Sequence, residues 1–140
     1  MDNIMQPEAN EYIIHELTKA INGEYHAIGF YEHLANIAPD ETTRKRILEI
    51  REDEIQHYQH FLYVYMSLTG KQLYPQITEP FPQQFRSGAN AAFIDEQETV
   101  NFYYKVARNT NDPYIMTLFE RAAMDEQKHA VWFLYFMIHK

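Results

Sequence analysis

One four-residue pattern occurs twice in the chain, Glu-x6-Tyr-x22-Glu-x2-His: first as Glu24, Tyr31, Glu54 and His57, then as Glu96, Tyr103, Glu126 and His129. The copies are offset by 72 positions (96 − 24 = 72). The register extends to Phe30 with Phe102, Ala35 with Ala107, Asp40 with Asp112, Asp53 with Asp125, Leu62 with Leu134 and Tyr63 with Tyr135. A duplication on this scale makes the chain two copies of one supersecondary unit that bury a common face. The only two Glu-x-x-His steps lie in stretches free of Gly and Pro, which read as helix. Residues three apart share a helical face, so each step aims one carboxylate and one imidazole at the same point.

Apolar spacing predicts a first helix from about Glu8 to Asn36, carrying Ile13, Leu17, Ile21, Ile28, Tyr31 and Leu34. Gly23 and Gly29 lie inside it. Asp40 fits as the N-cap of a second helix to about Thr69, where Gly70 ends the pattern. A third helix is expected over about Gly88–Arg108, and a fourth opens with Asp112 as N-cap and Pro113 at its first position and runs to about His139. Short turns join the first helix to the second and the third to the fourth, which predicts two antiparallel hairpins, about 8–69 and about 88–139.

The middle connection, about 70–87, carries Pro75, Pro80 and Pro82 and reads as extended. The second helix is about 40 Å long at ~1.5 Å per residue, and an extended segment covers ~3.3 Å per residue. The connection can therefore travel the length of the bundle and set the third helix parallel to the second. The expected fold is all-α, a four-helix bundle of two pseudo-symmetric hairpins joined by a long crossover, in a single domain over 1–140.

On these helices Glu24 shares a face with Ile21, Ile28 and Tyr31, and Glu96 with Phe93, Val100, Tyr103 and Ala107. Glu98 sits about 200° around the helix from Glu96 and is the weaker candidate. Ile47, Ile50, Glu54, His57 and Phe61 form one stripe on the second helix, and Phe119, Ala122, Glu126, His129 and Phe133 form its counterpart on the fourth. Four glutamates and two histidines thus converge. Ionised carboxylates gathered in a core repel one another and must be neutralised. Two divalent cations balance four carboxylates and leave the imidazoles neutral. Glu54 and Glu126 are assigned as bridges and are the residues expected to take part in the chemistry; Glu24 and Glu96 are assigned as terminal ligands, with one histidine on each ion.

The formal charge of −8 argues against nucleic acid or an anionic membrane surface as a partner. Cysteine is absent, which excludes disulfides, thiolate sites and iron–sulfur clusters. Met1 to Glu8 show no leader pattern, and no run approaches the roughly 18 apolar residues of a membrane span. A cytoplasmic protein is expected.

A Glu from each of two helices with Glu-x-x-His from each of the other two resembles the ferritin-like di-iron carboxylate proteins, and within them the rubrerythrins. The resemblance spans Glu8 to His139. It implies a four-helix bundle, a carboxylate-bridged di-iron or di-manganese centre, iron first, and an oxidoreductase reacting with peroxide or dioxygen; ligand type alone also tolerates zinc. It also implies that Tyr31 and Tyr103 hydrogen-bond the ligand glutamates. Rubrerythrins usually carry a further ligand glutamate on the third helix, where this chain has Phe93 and Thr99 on either side of Glu96. Without rubredoxin cysteines, a peroxidase would draw on an external electron donor. A manganese catalase-like dismutase and an iron store or carrier remain as alternatives, and a homodimer is expected.

Other residues read as structural. His60 pairs in the repeat with Trp132 and is not expected to ligate, and His15, His26, His33 and His139 are expected to be solvated. Tyr58, Tyr63 and Tyr65 are expected to pack, and the Arg44, Lys45, Arg46 and Arg51 cluster to pair with Glu49 and Glu52.

Overall fold

Four helices make up the computed structural model, which describes residues 7–77 and 79–139, with side chains from Asn10 onward. They are α1 (Pro7–Asn36), α2 (Glu41–Thr69), α3 (Phe85–Arg108) and α4 (Pro113–Ile138). No strand occurs among the described residues, and none of their helices is long and apolar enough to cross a membrane. Most of the Met1–Glu8 segment, on which the leader expectation rests, lies outside the described residues.

The helix ends follow local chemistry. Asp40 accepts a hydrogen bond from Thr43 N at 2.8 Å and starts α2, and Asp112 accepts from Tyr114 N at 2.8 Å and Ile115 N at 3.1 Å to start α4. Gly70 closes α2 with φ 69°, a left-handed conformation in which a Cβ would be strained. α3 begins at Phe85, ahead of the Gly88 expected to open it. Gly88 lies inside the first turn and donates to Gln84 O at 3.0 Å. Its role is close approach: a Cβ there would collide with Leu34 and touch Phe30 at 3.8 Å.

Side-chain pairs across the bundle fix helix direction. Tyr31 of α1 meets Glu96 of α3, whereas Tyr103, further along α3, meets Glu24, earlier on α1. The two helices therefore run antiparallel. Since α1 is also antiparallel to α2 within its hairpin, α2 and α3 are parallel, as the long crossover allows.

That crossover lies along α1. Ile77 packs where Gly29 has no side chain, and a Cβ at Gly29 would come within 2.7 Å of it. Phe81 stacks on Phe30 at 5.3 Å and contacts the rings of His26 and His33. His33 Nε2 donates to Pro82 O at 2.7 Å. His26 and His33 are therefore half-buried rather than solvated, because the crossover covers that face of α1. Arg51 also departs from expectation: it donates to Ile28 O at 2.9 Å and lies 3.6 Å from Glu32, both on α1. Arg44 and Arg46 pair within α2, with Glu41 and Glu49. Tyr58 and Tyr65 pack against the core, but Tyr63 is 68% exposed because it faces away from the other helices.

The apolar core falls into two clusters. One, at the α1 N-terminal end, gathers Ile13, Leu17, Ile21, Phe61, Val106, Ile115 and Phe119. The other gathers Phe30, Leu34, Ile47, Ile50, Ala89, Ala92 and Phe133. Between them lies a layer of buried polar side chains.

Candidate metal centre

Each helix contributes to that layer through its 3.6-residue period. Glu24 shares the inward stripe of Leu17, Ile21 and Tyr31, and the corresponding stripes on α2, α3 and α4 carry Glu54 with His57, Glu96, and Glu126 with His129. All six side chains are buried, the four glutamates at no more than 2% exposure. Glu98 and His60 are exposed and outside the cluster.

The six form two overlapping groups. One potential ligand atom from each of Glu24, Glu54, His57 and Glu126 lies within 4.8 Å of the others, and the same holds for Glu54, Glu96, Glu126 and His129. Glu54 and Glu126 belong to both. His57 Nδ1 is 3.0 Å from Glu54 Oε1 and 3.3 Å from Glu24 Oε2. His129 Nδ1 is 3.3 Å from Glu126 Oε1 and 3.2 Å from Glu96 Oε2. Both imidazoles thus turn Nδ1 toward the carboxylates.

The outer nitrogens are occupied. His57 Nε2 donates to Asp125 Oδ2 and His129 Nε2 to Asp53 Oδ2, each at 2.8 Å. The tyrosines are held in a similar way: Tyr103 donates to Glu24 Oε2 at 2.5 Å and Tyr31 to Glu96 Oε2 at 3.0 Å. Every one of these four bonds joins one hairpin to the other. Sequence reasoning assigned no role to Asp53 and Asp125, although they pair in the repeat and immediately precede Glu54 and Glu126. That pairing was the available signal.

Burial and mutual repulsion shift the acids strongly. Burial, with the Glu54 charge added, pushes Glu24 up to about 8 and Glu96 up to about 7. Burial, with Glu54, Glu96 and Glu24 around it, raises Glu126 well above the usual carboxyl range. Burial would also raise Glu54, but the imidazoles of His129 and His57 outweigh it and hold Glu54 low. Both histidines are raised: burial opposes their charge, but Asp125 or Asp53 together with the surrounding glutamates overcome it. Protons thus neutralise the cluster when no other cation does.

The donor set fits a metal pair. Glu24 Oε1, both oxygens of Glu54 and Glu126 Oε1 are buried without a hydrogen-bond partner. A buried acceptor with no donor is strongly disfavoured. Four such oxygens face the same space as two Nδ1 lone pairs, a hard-oxygen and imidazole set suited to divalent iron, manganese or zinc. A cleft of about 660 Å³ between α1 and α3 reaches Glu24, Glu54, Glu96 and Glu126 from the surface.

Comparison with known proteins places this architecture. The chain superposes on Desulfovibrio desulfuricans bacterioferritin, solved with its diiron site in different catalytic states, with a TM-score of 0.83 and 22% identity over 94% of this chain and 81% of that one. A hypothetical protein from Pyrococcus furiosus matches with a TM-score of 0.77 and 22% identity over 89% of this chain and 87% of that one. These likenesses define the class: an all-α, ferritin-like bundle with a Glu/His cluster able to hold metal. Residues 16–137 match the rubrerythrin family model, and the chain belongs to that family. The uncharacterized protein YhjR of Bacillus subtilis is 49% identical over 128 residues, 91% of this chain and 88% of that one.

Proposed function

We propose that the protein is a di-metal oxidoreductase that reduces hydrogen peroxide or dioxygen, a rubrerythrin-like peroxidase or ferroxidase. The observation that carries this reading is the set of unpartnered carboxylate oxygens shared between two Glu/His groups. Glu54 and Glu126 would bridge two ions, Glu24 and Glu96 would complete each site, and His57 and His129 would each bind one ion through Nδ1. Iron is the first choice of metal and manganese the alternative; the donor set would also accept zinc, which has no redox chemistry and would leave the centre inactive in this reaction. Four carboxylates and two divalent ions leave a neutral centre, which relieves the repulsion that raises the acids.

When bound, a redox-active metal pair supplies one electron from each ion to an O–O bond. Cleaving peroxide to two waters also consumes two protons. Glu24 and Glu96 line the cleft that reaches the surface and would pass protons inward from it. Tyr103 and Tyr31 fix Oε2 of each, and Glu24 keeps an unpartnered Oε1. Asp125 and Asp53 hold the imidazoles in the Nε2–H tautomer, which keeps Nδ1 available as a ligand. The aromatic layers on both sides, Phe61 with Phe119 and Tyr31 with Phe133, close the bundle axis to water.

The chain contains no cysteine, so re-reduction calls for an external electron donor, available in the cytoplasm. The exposed α4 positions Val131, Tyr135 and Ile138 offer a surface for a second copy, and a homodimer is part of the reading.

The test is peroxide turnover by iron-loaded protein. Peroxide loss that requires a reductant and releases no oxygen supports the peroxidase form, and oxygen consumption on Fe(II) addition supports the ferroxidase form. Oxygen evolution would replace the proposal with a catalase, and uptake of many irons per chain with a store. Metal analysis of protein from its own cell identifies the ion. Glu54→Ala and Glu126→Ala should each lose pair binding, and a variant still holding two ions would refute the bridging roles.

A further inference from the structure

The cleft between α1 and α3 is uneven in composition. At its inner end are the centre's carboxylates, including Glu24, buried and with Oε1 unpartnered. At its rim stand three exposed acids from two different segments: Glu79 of the crossover, and Asp95 and Glu98 of α3. Lys19 also lines it, over the ring of Phe102, another lining residue, at 4.7 Å, and its charge is offset by Glu16 at 3.6 Å. The opposite side of the centre is closed by His57 and His129 with their aspartates.

The α1 wall of this cleft includes three small residues among larger ones. Ala20, Gly23 and Ala27 line it at helical spacing next to Glu24. Gly23 is exposed in mid-helix, where glycine is about 1 kcal/mol less favourable than alanine. Unlike Gly88 and Gly29, it is not required by a neighbour, since a Cβ there would meet nothing within 4 Å. Its bare backbone leaves open space in the cleft wall beside Glu24.

We propose that this cleft is the path by which divalent cations reach the centre, with Glu79, Asp95 and Glu98 as the capture site at its mouth and Gly23 keeping it open. A cleft lined by one sign of charge between low-dielectric walls concentrates counter-ions and raises their on-rate by roughly 10- to 1,000-fold. The three rim acids are exposed, so they hold a hydrated cation weakly and release it inward to the unpartnered oxygens. Glu98, which faces away from the centre, thereby acquires a role at its approach.

This inference rests on the di-metal reading, and cobalt(II) alone, followed by its visible absorption in a stopped-flow mixer, separates the two. The wild-type protein should take up two ions per chain, at a rate that falls as salt is added. Glu79→Gln/Asp95→Asn/Glu98→Gln should still take up two, about tenfold or more slowly at low ionic strength, with a flattened salt dependence. Gly23→Leu, which places its side chain in open space and favours the helix, should also load slowly to the same final stoichiometry. Glu41→Gln/Glu49→Gln/Glu52→Gln, with the same charge change on α2, should load at the wild-type rate. Wild-type loading rates in both cleft variants, or equal slowing in the α2 control, would overturn the path. Failure of the wild-type protein to bind a pair of ions would overturn the di-metal reading itself, and the path with it.

Discussion

His57 and Asp125 lie on opposite hairpins and are joined by a 2.8 Å hydrogen bond from Nε2 to Oδ2, while His129 and Asp53 make the same bond in reverse. Each half of the duplicated chain thus orients the imidazole of the other. His57 in turn holds the Asp125 carboxyl below the usual carboxylate range. The pseudo-twofold relation is a matter of reciprocal contacts as well as matched spacing, so the two hairpins depend on each other for a working site.

Replacing Asp125 or Asp53 with Asn should therefore weaken metal binding by about 10- to 100-fold, the usual effect of losing a carboxylate behind a ligating histidine. The fold should persist, because both aspartates are roughly two-fifths exposed. Competition titration with a chromophoric chelator measures the affinity, and circular dichroism checks the helices. Unchanged affinity in both variants would show that the imidazoles need no such support.

Tyr103→Phe keeps the ring that packs against Phe61 and Phe119 and removes only the donor to Glu24 Oε2. Losing one hydrogen bond to a buried carboxylate oxygen, which then keeps only His57 Nδ1 at 3.3 Å, is disfavoured by about 1–3 kcal/mol. Metal-free Tyr103→Phe should lose stability on that scale in urea unfolding, and Tyr31→Phe should follow it through Glu96.

The metal-free protein should become less stable as pH rises from about 6 to 9. Glu24, at about 8, and Glu96, at about 7, sit above their unfolded value of 4.5. Groups raised on folding hold extra protons in the native state, so their contribution is complete at low pH and is lost as pH climbs through the folded value. His57 and His129, also raised, act in the same direction above 6.5. Metal loading displaces these protons, so the loaded protein should have a flatter melting profile over that interval and metal affinity should rise with pH. Parallel thermal scans check this, and identical slopes with and without metal would contradict it.

Two glycines should respond oppositely to alanine. Gly88→Ala forces a methyl into Leu34 and should destabilise by about 1–3 kcal/mol. Gly23→Ala meets no neighbour and should stabilise by up to about 1 kcal/mol. Denaturant midpoints for the pair distinguish glycine kept for close packing from glycine kept for an opening.

What the sequence determined by itself is the content of each helical face. The periodicity that puts Glu24 with Ile21 and Tyr31, or Glu54 three residues before His57, is local, and 3.6 residues per turn is enough to predict that these side chains point one way. The duplication then brought six such residues to one site and separated Glu96 from Glu98. Aspartate caps and the αL glycine were legible for the same reason, since their partners lie within a turn. What only the tertiary structure decided is which residues meet across helices. The Asp–His and Tyr–Glu pairs connect opposite hairpins, so they depend on the stagger and direction set by the crossover. The burial of His26 and His33 under Phe81, the reach of Arg51 to α1, and the role of Gly88 inside α3 likewise depend on a neighbour far along the chain. The cleft between α1 and α3 belongs to the same class, because an opening is defined by two surfaces that no single stretch of sequence contains.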